Sequence, residues 1–311
     1  MIRVQYRRYG GPEVLRLEEF TLAEPGRGQV RVRIGAAAAN PMDWKIRKGE
    51  MKLMTGRSFP RGLGHDFAGI VEGVGPDVTR FKVGDEVFGV TGLKQAGTFA
   101  EAIVTEAKTT FPKPRSLSFE AAAALPVVGI TAWNALIEKA KLQAGQRVFI
   151  TGCLGGVGRV ATRIAAIHGA EIAGSCSASG RDEAMAQGVG EVVDYRGFDV
   201  APHRGRFDVV FDAAGVLSLG QAGAMLKRGG LSLQIVPTFA KMIGCLLPSR
   251  HHLVFGNPTP EAMAGLTEAA ERGQIVPFIG RVVPLSEAIT ALVELETKGL
   301  PKGKLVIVPG R

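Results

Sequence analysis

Short runs of alternating apolar and polar residues, separated by glycine and proline, fill the first third of the chain. Residues 29–34, QVRVRI, alternate strictly and predict a half-buried strand. Residues 64–80 and 81–89 add further short apolar runs between glycines. Many short strands joined by turns predict a compact antiparallel β-barrel for this part of the chain.

From about residue 119 an alanine-rich helical pattern begins, and strand candidates then alternate with helices. Residues 148–150 predict a buried parallel strand, and Val160, Ile164 and Ile167 mark one face of the helix that follows. Later strands are predicted over residues 171–174, 191–194, 207–211 and 231–236. This order predicts an α/β domain with a doubly wound parallel sheet.

A glycine-rich turn joins the first of these strands to its helix. Gly152, Gly155 and Gly158 have the G-x-x-G-x-x-G spacing. That spacing allows a tight turn, a close approach of the backbone to a pyrophosphate, and a helix N-terminus that faces the phosphate. An ordinary glycine-rich connection is the alternative, but the flanking strand and helix favour dinucleotide binding.

The last segment, residues 257–311, contains two amphipathic helices and short strands that a doubly wound sheet does not need. We expect it to return to the first domain. The predicted organisation is a catalytic domain that begins with residues 1–120, a nucleotide-binding domain over residues 121–256, and a return to the catalytic domain over residues 257–311.

Composition and charge narrow the class of protein. A chain of 311 residues is longer than one hydrophobic core usually serves, which fits two domains. Three cysteines without disulfide spacing, and no apolar N-terminal leader, predict a cytoplasmic protein. Residues 121–137 are the longest weakly charged stretch and are too short for a membrane span. The net charge of +9 is scattered along the chain and indicates no particular partner.

Six short segments and the glycine turn together carry a family resemblance. The segments are NPMDWKIRKG (40–49), GHDFAGIVEGVG (64–75), FKVGDEVFG (81–89), LPVVGITAW (125–133), VVDYR (192–196) and GKLVIV (303–308). In this order they resemble the zinc-independent medium-chain dehydrogenases/reductases of the quinone oxidoreductase and enone (alkenal) reductase type. The resemblance covers essentially the whole chain. It implies a GroES-like β-barrel catalytic domain formed by both chain ends, a Rossmann domain between them, NADPH in the cleft, and a homodimer.

The resemblance also bears on metal binding. Zinc-dependent relatives share the histidine of the G-H motif, here His65, but they also need a cysteine where this chain has Asn40 and another near residues 127–128. His65 alone cannot supply the three protein ligands of a catalytic zinc. We therefore predict no metal site and a hydrogen-bonded, structural His65. Without a metal Lewis acid, the expected reaction is hydride transfer to a quinone or an α,β-unsaturated carbonyl, whose oxygen hydrogen bonds can stabilise.

The segment NPMDWKIRKG supplies the catalytic candidates. The resemblance places Asn40 and Lys45 beside the nicotinamide ribose, where an amide and an ammonium can orient the cofactor and face developing enolate charge. Asp43 is predicted to hold Lys45. The alternative is a turn that begins at Asn-Pro and carries solvated charges.

Residues for the cofactor are predicted in several places. The glycine turn contributes Gly152, Gly155, Gly156, Val157 and Gly158. The resemblance adds Thr131, Ala214, Val236 and Lys304.

Selection of NADPH over NADH is predicted from residues 174–181, GSCSASGR. No acidic residue precedes Asp182 there, so nothing repels a 2′-phosphate. Possible donors to that phosphate are Ser175, Ser177, Ser179 and Arg181. Tyr195 resembles the family tyrosine that reaches the same phosphate.

The sequence leaves the substrate and two other functions open. The segment 42–54 contains several large apolar residues, namely Met42, Trp44, Met51, Leu53 and Met54. They could line an apolar cleft for a planar ring, or they could belong to plain packing or a mobile loop. Quinone and enone are therefore not distinguished. A single-strand RNA-binding protein on the same scaffold fits the basic charge, but 6% aromatic residues provide few stacking platforms, which argues against nucleic acid. A noncatalytic interaction protein that binds NADPH also fits the glycine turn.

Overall fold

The computed structural model describes residues 1–246, 249–299 and 302–310. They form two compact units. The first consists of Met1–Val127 and Pro258–Arg311, and the second consists of Val128–Asn257. Both ends of the chain therefore belong to the first unit.

The strands and helices are numbered in chain order. The strands are β1 (Ile2–Tyr6), β2 (Arg16–Glu19), β3 (Gln29–Ala38), β4 (Arg61–Gly62), β5 (Asp66–Val74), β6 (Glu86–Val90), β7 (Ala102–Glu106), β8 (Thr110–Pro112), β9 (Arg147–Ile150), β10 (Glu171–Cys176), β11 (Glu191–Asp194), β12 (Phe207–Asp212), β13 (Leu226–Gln234), β14 (His251–Leu253), β15 (Ile279–Pro284) and β16 (Lys304–Val308). The helices are α1 (Pro41–Arg47), α2 (Lys52–Thr55), α3 (Phe119–Ala123), α4 (Pro126–Trp133), α5 (Gly156–Ile167), α6 (Arg181–Ala186), α7 (Leu219–Met225), α8 (Phe239–Leu246), α9 (Pro260–Glu271) and α10 (Ala288–Lys298).

The first unit is built on a seven-stranded sheet in the order β15-β16-β3-β5-β6-β8, with β7 also paired to β3. The pairs are antiparallel except β15 with β16. Strand β3 is central because it pairs with β16, β5 and β7, and its alternate residues Val30, Val32 and Ile34 are buried. This confirms the antiparallel fold predicted for the first third. The C-terminal strand β16 joins the same sheet beside β3.

The second unit contains a six-stranded, fully parallel sheet in the order β11-β10-β9-β12-β13-β14. This is the doubly wound α/β order that the alternation of strands and helices predicted. Three of the four residues of strand β9, Val148, Phe149 and Ile150, are buried. The strand pairs with β10 on one side and β12 on the other. Ligands of such sheets bind at the carboxyl ends of the strands where the order reverses, which here is the end of β9.

One predicted strand is wrong at both ends. Strand β13 covers Leu226–Gln234 instead of residues 231–236. Leu226 already pairs with Phe207, and the register then shifts before Val209 pairs with Leu231. Gly229, at φ +82°, and Gly230 lie in this irregular part, so both glycines are within the strand.

No helix in the described ranges combines the length and the apolar character needed to span a bilayer.

Candidate functional site

The carboxyl end of β9 leads into the glycine turn of the second unit. Gly152 has φ +58°, a left-handed conformation that side chains rarely adopt, and its carbonyl accepts the N–H of Gly155 at 2.8 Å. Helix α5 then begins at Gly156 and Val157. A Cβ on Gly158 would lie 2.1 Å from the carbonyl oxygen of Gly152, so only glycine fits at this position.

The N-terminus of α5 fits a phosphate group. The helix has twelve residues, and its N-cap, Gly155, forms no side-chain hydrogen bond to the first turn. First-turn N–H groups and the helix dipole favour an anion at this position. The turn therefore provides the backbone cradle that a dinucleotide needs.

Ser175 stabilises this turn from the neighbouring strand β10. Its buried hydroxyl accepts the N–H of Gly152 at 3.3 Å, and its carbonyl accepts the N–H of Cys153 at 3.0 Å. Because the hydroxyl acts as an acceptor toward the turn, its own O–H remains a donor, and its contact with a 2′-phosphate stays a prediction.

A buried carboxylate, Asp212, holds the carboxyl ends of β9 and β12 together. The hydroxyl of Thr151 donates to Asp212 Oδ1 at 2.8 Å and accepts the N–H of Ala214 at 3.0 Å. The ammonium of Lys241 donates to Asp212 Oδ2 at 2.9 Å. A Cβ on Gly152 would lie 3.2 Å from that of Ala214, so these two predicted cofactor residues are neighbours.

Asp212 and Lys241 were not identified from the sequence. The available signal was an acidic residue directly after the predicted strand 207–211. Val236 lies at the same edge, because a Cβ on Gly215 would meet its side chain. The structure thus brings Ala214 and Val236 to the edge that carries the glycine turn.

The predicted 2′-phosphate residues follow β10. The hydroxyls of Ser177 and Ser179 lie 3.1 Å apart and are exposed. Arg181, at the start of α6, donates through Nη2 to the carbonyl of Val192 at 3.1 Å. One nitrogen of its guanidinium is therefore engaged by backbone, and its other N–H groups remain for an anion.

Tyr195 follows the adjacent strand β11 and is 52% exposed. The guanidinium carbon of Arg196 lies 5.6 Å from the centre of its ring. Strands β10 and β11 are parallel neighbours, so Ser177 and Tyr195 come from the same edge of the sheet. Arg196 is a second cation there that the sequence reasoning did not consider.

Thr131 lies on α4 and is buried. A Cβ on Gly256 would lie 3.3 Å from its hydroxyl oxygen. One helical turn further on, Asn134 donates to the carbonyls of Phe255 and Asn257 at 3.2 and 3.0 Å. The end of the second unit is therefore packed against the helix that carries Thr131.

Helix α1 carries the catalytic candidates of the first unit and is anchored at both ends. At its start, Asp43 Oδ2 accepts the N–H of Asn40 at 2.8 Å. At its end, buried Arg47 donates to both carboxylate oxygens of Glu296 at 2.9 and 2.8 Å. A bidentate pair of this kind fixes direction as well as distance.

The predicted pairing of Asp43 with Lys45 is wrong. The second oxygen of Asp43 accepts Nδ1–H of His65 at 2.8 Å, so both oxygens are engaged elsewhere. The side chain of Lys45 is half-buried, and its ammonium has no ion-pair or hydrogen-bond partner within the described part of the chain. Its ammonium is therefore available to a ligand.

A buried carboxylate that the sequence reasoning missed, Asp66, organises the rest of this cluster. Its Oδ1 accepts the N–H of Val127 at 2.9 Å, and its Oδ2 accepts Nδ2–H of Asn40 at 2.8 Å. Lys304 donates to Asn40 Oδ1 at 2.5 Å and lies 3.8 Å from Asp66 Oδ2. The only sequence signal was an acid directly after the Gly-His pair of residues 64–65.

Burial determines the ionisation of both charged groups. It raises the pKa of Asp66 to about 6, against the opposing effects of Lys304 and of the hydrogen bonds from Asn40 and Val127. It lowers the pKa of Lys304, against the opposing effect of Asp66. The attraction between Asp66 and Lys304 therefore favours the charged form of both groups.

His65 is buried and hydrogen-bonded through Nδ1, as predicted. Its Nε2 is buried and lacks a hydrogen-bond partner in the described part of the protein. Across the same ranges, no group of three or more His, Cys, Asp or Glu residues is placed to hold a metal ion.

The apolar substrate candidates are not packed into the core. Leu53 and Met54, on the short helix α2, are 97% and 50% exposed. Met42, Trp44 and Met51 are partly buried. Plain packing is therefore the wrong interpretation for Leu53 and Met54.

Comparison with protein families gives two matches. Residues 26–115 match the alcohol dehydrogenase GroES-like domain, and residues 187–307 match the family described as zinc-binding dehydrogenase. Together the matches cover most of the chain.

Relatives with known names extend this result. The chain is 34% identical to 2-methylene-furan-3-one reductase of Solanum lycopersicum, over 98% of this chain and 78% of that protein. It is 30% identical to the chloroplastic NADPH-dependent alkenal/one oxidoreductase of Arabidopsis thaliana, again over 98% and 78%. The quinone oxidoreductase of Coxiella burnetii superimposes with a TM-score of 0.89 at 30% identity, over 100% of this chain and 99% of that chain.

Proposed function

Because this chain belongs to the medium-chain dehydrogenases/reductases of the quinone oxidoreductase and enone reductase type, we propose that it reduces a quinone or an α,β-unsaturated carbonyl with NADPH. The observation that carries the proposal is the glycine turn at the end of β9, where only glycine fits at position 158. A homodimer and a cytoplasmic location remain predictions.

The residues of the chain have separate tasks in this proposal. NADPH supplies a hydride when it is bound. The turn over residues 152–158 holds its pyrophosphate, and Thr131, Ala214 and Val236 contact it. Lys45, whose ammonium is not neutralised by a neighbouring acid, stabilises the oxygen that gains negative charge during reduction.

The test is consumption of NADPH by the purified protein with a panel of quinones and enones. Turnover with members of either class supports the proposal and identifies the substrate class. NADPH binding without turnover of any acceptor would instead support a noncatalytic interaction protein. Displacement of NADPH by single-stranded RNA would favour the nucleic-acid alternative.

Turnover should not depend on a metal. This prediction rests on Asn40, which stands where zinc-dependent relatives need a cysteine and whose side chain is bonded to Asp66 and Lys304. We expect full activity after exhaustive chelation and no stoichiometric zinc by elemental analysis. Activity that is lost on chelation and restored by zinc would contradict this expectation.

We propose that NADPH is preferred over NADH because residues 174–181, at the end of β10, offer hydroxyls and a cation to a 2′-phosphate and contain no acidic residue. Asp194, at the end of β11, is the acid paired with this edge, and its Oδ1 accepts the backbone N–H of Arg196 at 3.0 Å. The NADPH-dependent name of the Arabidopsis thaliana relative supports this preference.

Replacing Arg181 by alanine should reduce the preference for NADPH about tenfold, because one charge-assisted hydrogen bond contributes about 1.5–3 kcal/mol and part of this guanidinium is bound to Val192. The measurement is the dissociation constant of each cofactor. Arg196→Ala tests the second cation, and exposed Arg228 provides an arginine-to-alanine control. A preference that survives the Arg181 change and disappears with Arg196→Ala would assign it to Arg196.

A further inference from the structure

Asn40 has little hydrogen-bonding capacity left for a ligand. Its Nδ2 donates to the carbonyl of Ala38 at 3.3 Å and to Asp66 Oδ2 at 2.8 Å, which uses both of its N–H groups. Its Oδ1 accepts from Lys304 at 2.5 Å. Only one lone pair on Oδ1 remains. Asn40 therefore cannot donate to an anionic oxygen.

Lys304 has the donors that Asn40 lacks. An ammonium has three N–H groups, and one of them is used by Asn40 Oδ1. Asp66 Oδ2, at 3.8 Å, is an ion-pair partner beyond ordinary hydrogen-bond length. The described residues offer no other acceptor to the side chain of Lys304, which is 8% exposed. A desolvated cation with unused donors is a strong partner for an anion.

Asp66 determines how the side-chain amide of Asn40 is oriented. A carboxylate only accepts hydrogen bonds, so the N–H of Val127 and the NH₂ group of Asn40 must both face it. The oxygen of Asn40 is thereby turned away from Asp66 and toward Lys304. Asp66 is also the nearest negative charge to Lys304.

We propose that Asp66 is a positioning residue that fixes the Asn40 amide and, through it, holds the Lys304 ammonium as a donor to an anionic oxygen of the nicotinamide cofactor. The inference rests on the proposed function only in taking a nicotinamide dinucleotide as the ligand. It assigns a role to a residue outside the glycine turn whose two carboxylate oxygens are bonded to Val127 and Asn40.

Asp66→Asn is the sharpest test, because the change keeps the shape and replaces one acceptor oxygen with a donor. Asparagine at position 66 would then face a donor on either Val127 or Asn40. We expect the dissociation constant for NADPH at pH 8 to rise about ten- to a hundredfold, since one charge-assisted contact is lost. At saturating NADPH, kcat should change by less than about threefold, because the effect lies in cofactor binding.

A pH series provides a result that general loss of stability would not. Burial raises the pKa of Asp66 to about 6, so its carboxylate is ionised at pH 8 and protonated at pH 5. The charged or titratable groups facing it are Lys304 on β16 and Asp43 on α1, with His65 bonded to Asp43. The wild type should therefore lose affinity as the pH falls through about 6 and approach the variant. NADH is the probe here, because a 2′-phosphate titrates near pH 6 itself.

Two further variants keep the test decisive. Asp77→Asn is the matched control: Asp77 is exposed, pairs with Arg27, and has φ +67°, which asparagine tolerates. Lys304→Met removes the proposed donor without touching Asp66. It should weaken NADPH binding as much as Asp66→Asn, and the double variant should be no weaker than either single variant. Lys304→Met also tests the proposal if Asp66→Asn does not fold, as judged by thermal melting.

The outcomes separate this inference from the proposed function. Unchanged NADPH affinity in both Asp66→Asn and Lys304→Met would overturn the positioning role, even in an active reductase. A ratio of the NADH affinities of wild type and Asp66→Asn that stays constant from pH 5 to pH 8 would also overturn it. Absence of turnover with every quinone and enone would overturn the reductase proposal and leave the binding results intact.

Discussion

Alanine in place of Gly158 is expected to reduce the affinity for NADPH by roughly a hundredfold or more, the largest effect of any single change considered. The added Cβ would lie 2.1 Å from the carbonyl oxygen of Gly152, 2.8 Å from its carbonyl carbon and 3.0 Å from Cα of Cys153. These are backbone atoms, so no side-chain rotation relieves the contact. The turn must open, and the cradle for the pyrophosphate opens with it.

The measurement is the dissociation constant for NADPH, from titration of cofactor fluorescence. Gly220→Ala is the matched control, since a Cβ there would approach nothing closer than 4.0 Å and the residue lies on α7 of the same unit. Thermal melting of both variants separates loss of the cradle from loss of the fold. NADPH affinity within about threefold of wild type in Gly158→Ala would disprove the proposed pyrophosphate site.

The second large effect is expected at Lys45. Its replacement by alanine should lower kcat by roughly ten- to a hundredfold, because a charge-assisted contact made mainly in the transition state contributes about 1.5–3 kcal/mol. Asp43 is bonded to Asn40 and His65 and does not neutralise Lys45, so the whole charge can act on the reacting oxygen. NADPH binding should weaken much less than turnover.

Steady-state kinetics with saturating NADPH measure this effect. Lys52, an exposed lysine on the neighbouring helix α2, gives the control Lys52→Ala, for which we expect wild-type turnover. Equal kcat values for Lys45→Ala and the wild type would show that Lys45 is a solvated surface charge without a role in the reaction. A loss confined to NADPH affinity would make it a cofactor-binding residue instead.

Features that depend on neighbouring residues were predictable from the sequence. Strict alternation identified the central strand β3, and the spacing of three glycines identified the turn between β9 and α5. Both are local patterns, because side chains alternate along a strand and a turn needs glycine at fixed positions. The irregular start of β13 was missed because glycine is typical of turns and also of bulges within a strand, so Gly229 and Gly230 do not distinguish the two from the sequence.

The hydrogen-bond partners within the buried polar cluster around Asn40 and Asp66 could not be predicted in the same way. Asp43 and His65 are separated by 22 positions, and Asn40 and Lys304 by 264. Sequence spacing does not reveal such partners, so the nearer Lys45 was wrongly paired with Asp43. Asp66 was overlooked for a related reason, since its importance comes from burial and from donors supplied by other elements.

The pairing of β16 with β3 has a consequence for how the protein is made. Residues 1–127 leave the ribosome first, but the sheet they form still lacks β15 and β16 at one edge. Ala37 and Ala38 on β3 cannot pair until Ile307 and Val306 of β16 have been synthesised. The hydrogen bond from Lys304 to Asn40 likewise cannot form before then. The second unit, a continuous segment, is synthesised in full before then and can fold as a unit. The unit whose synthesis begins first is therefore the unit that is completed last.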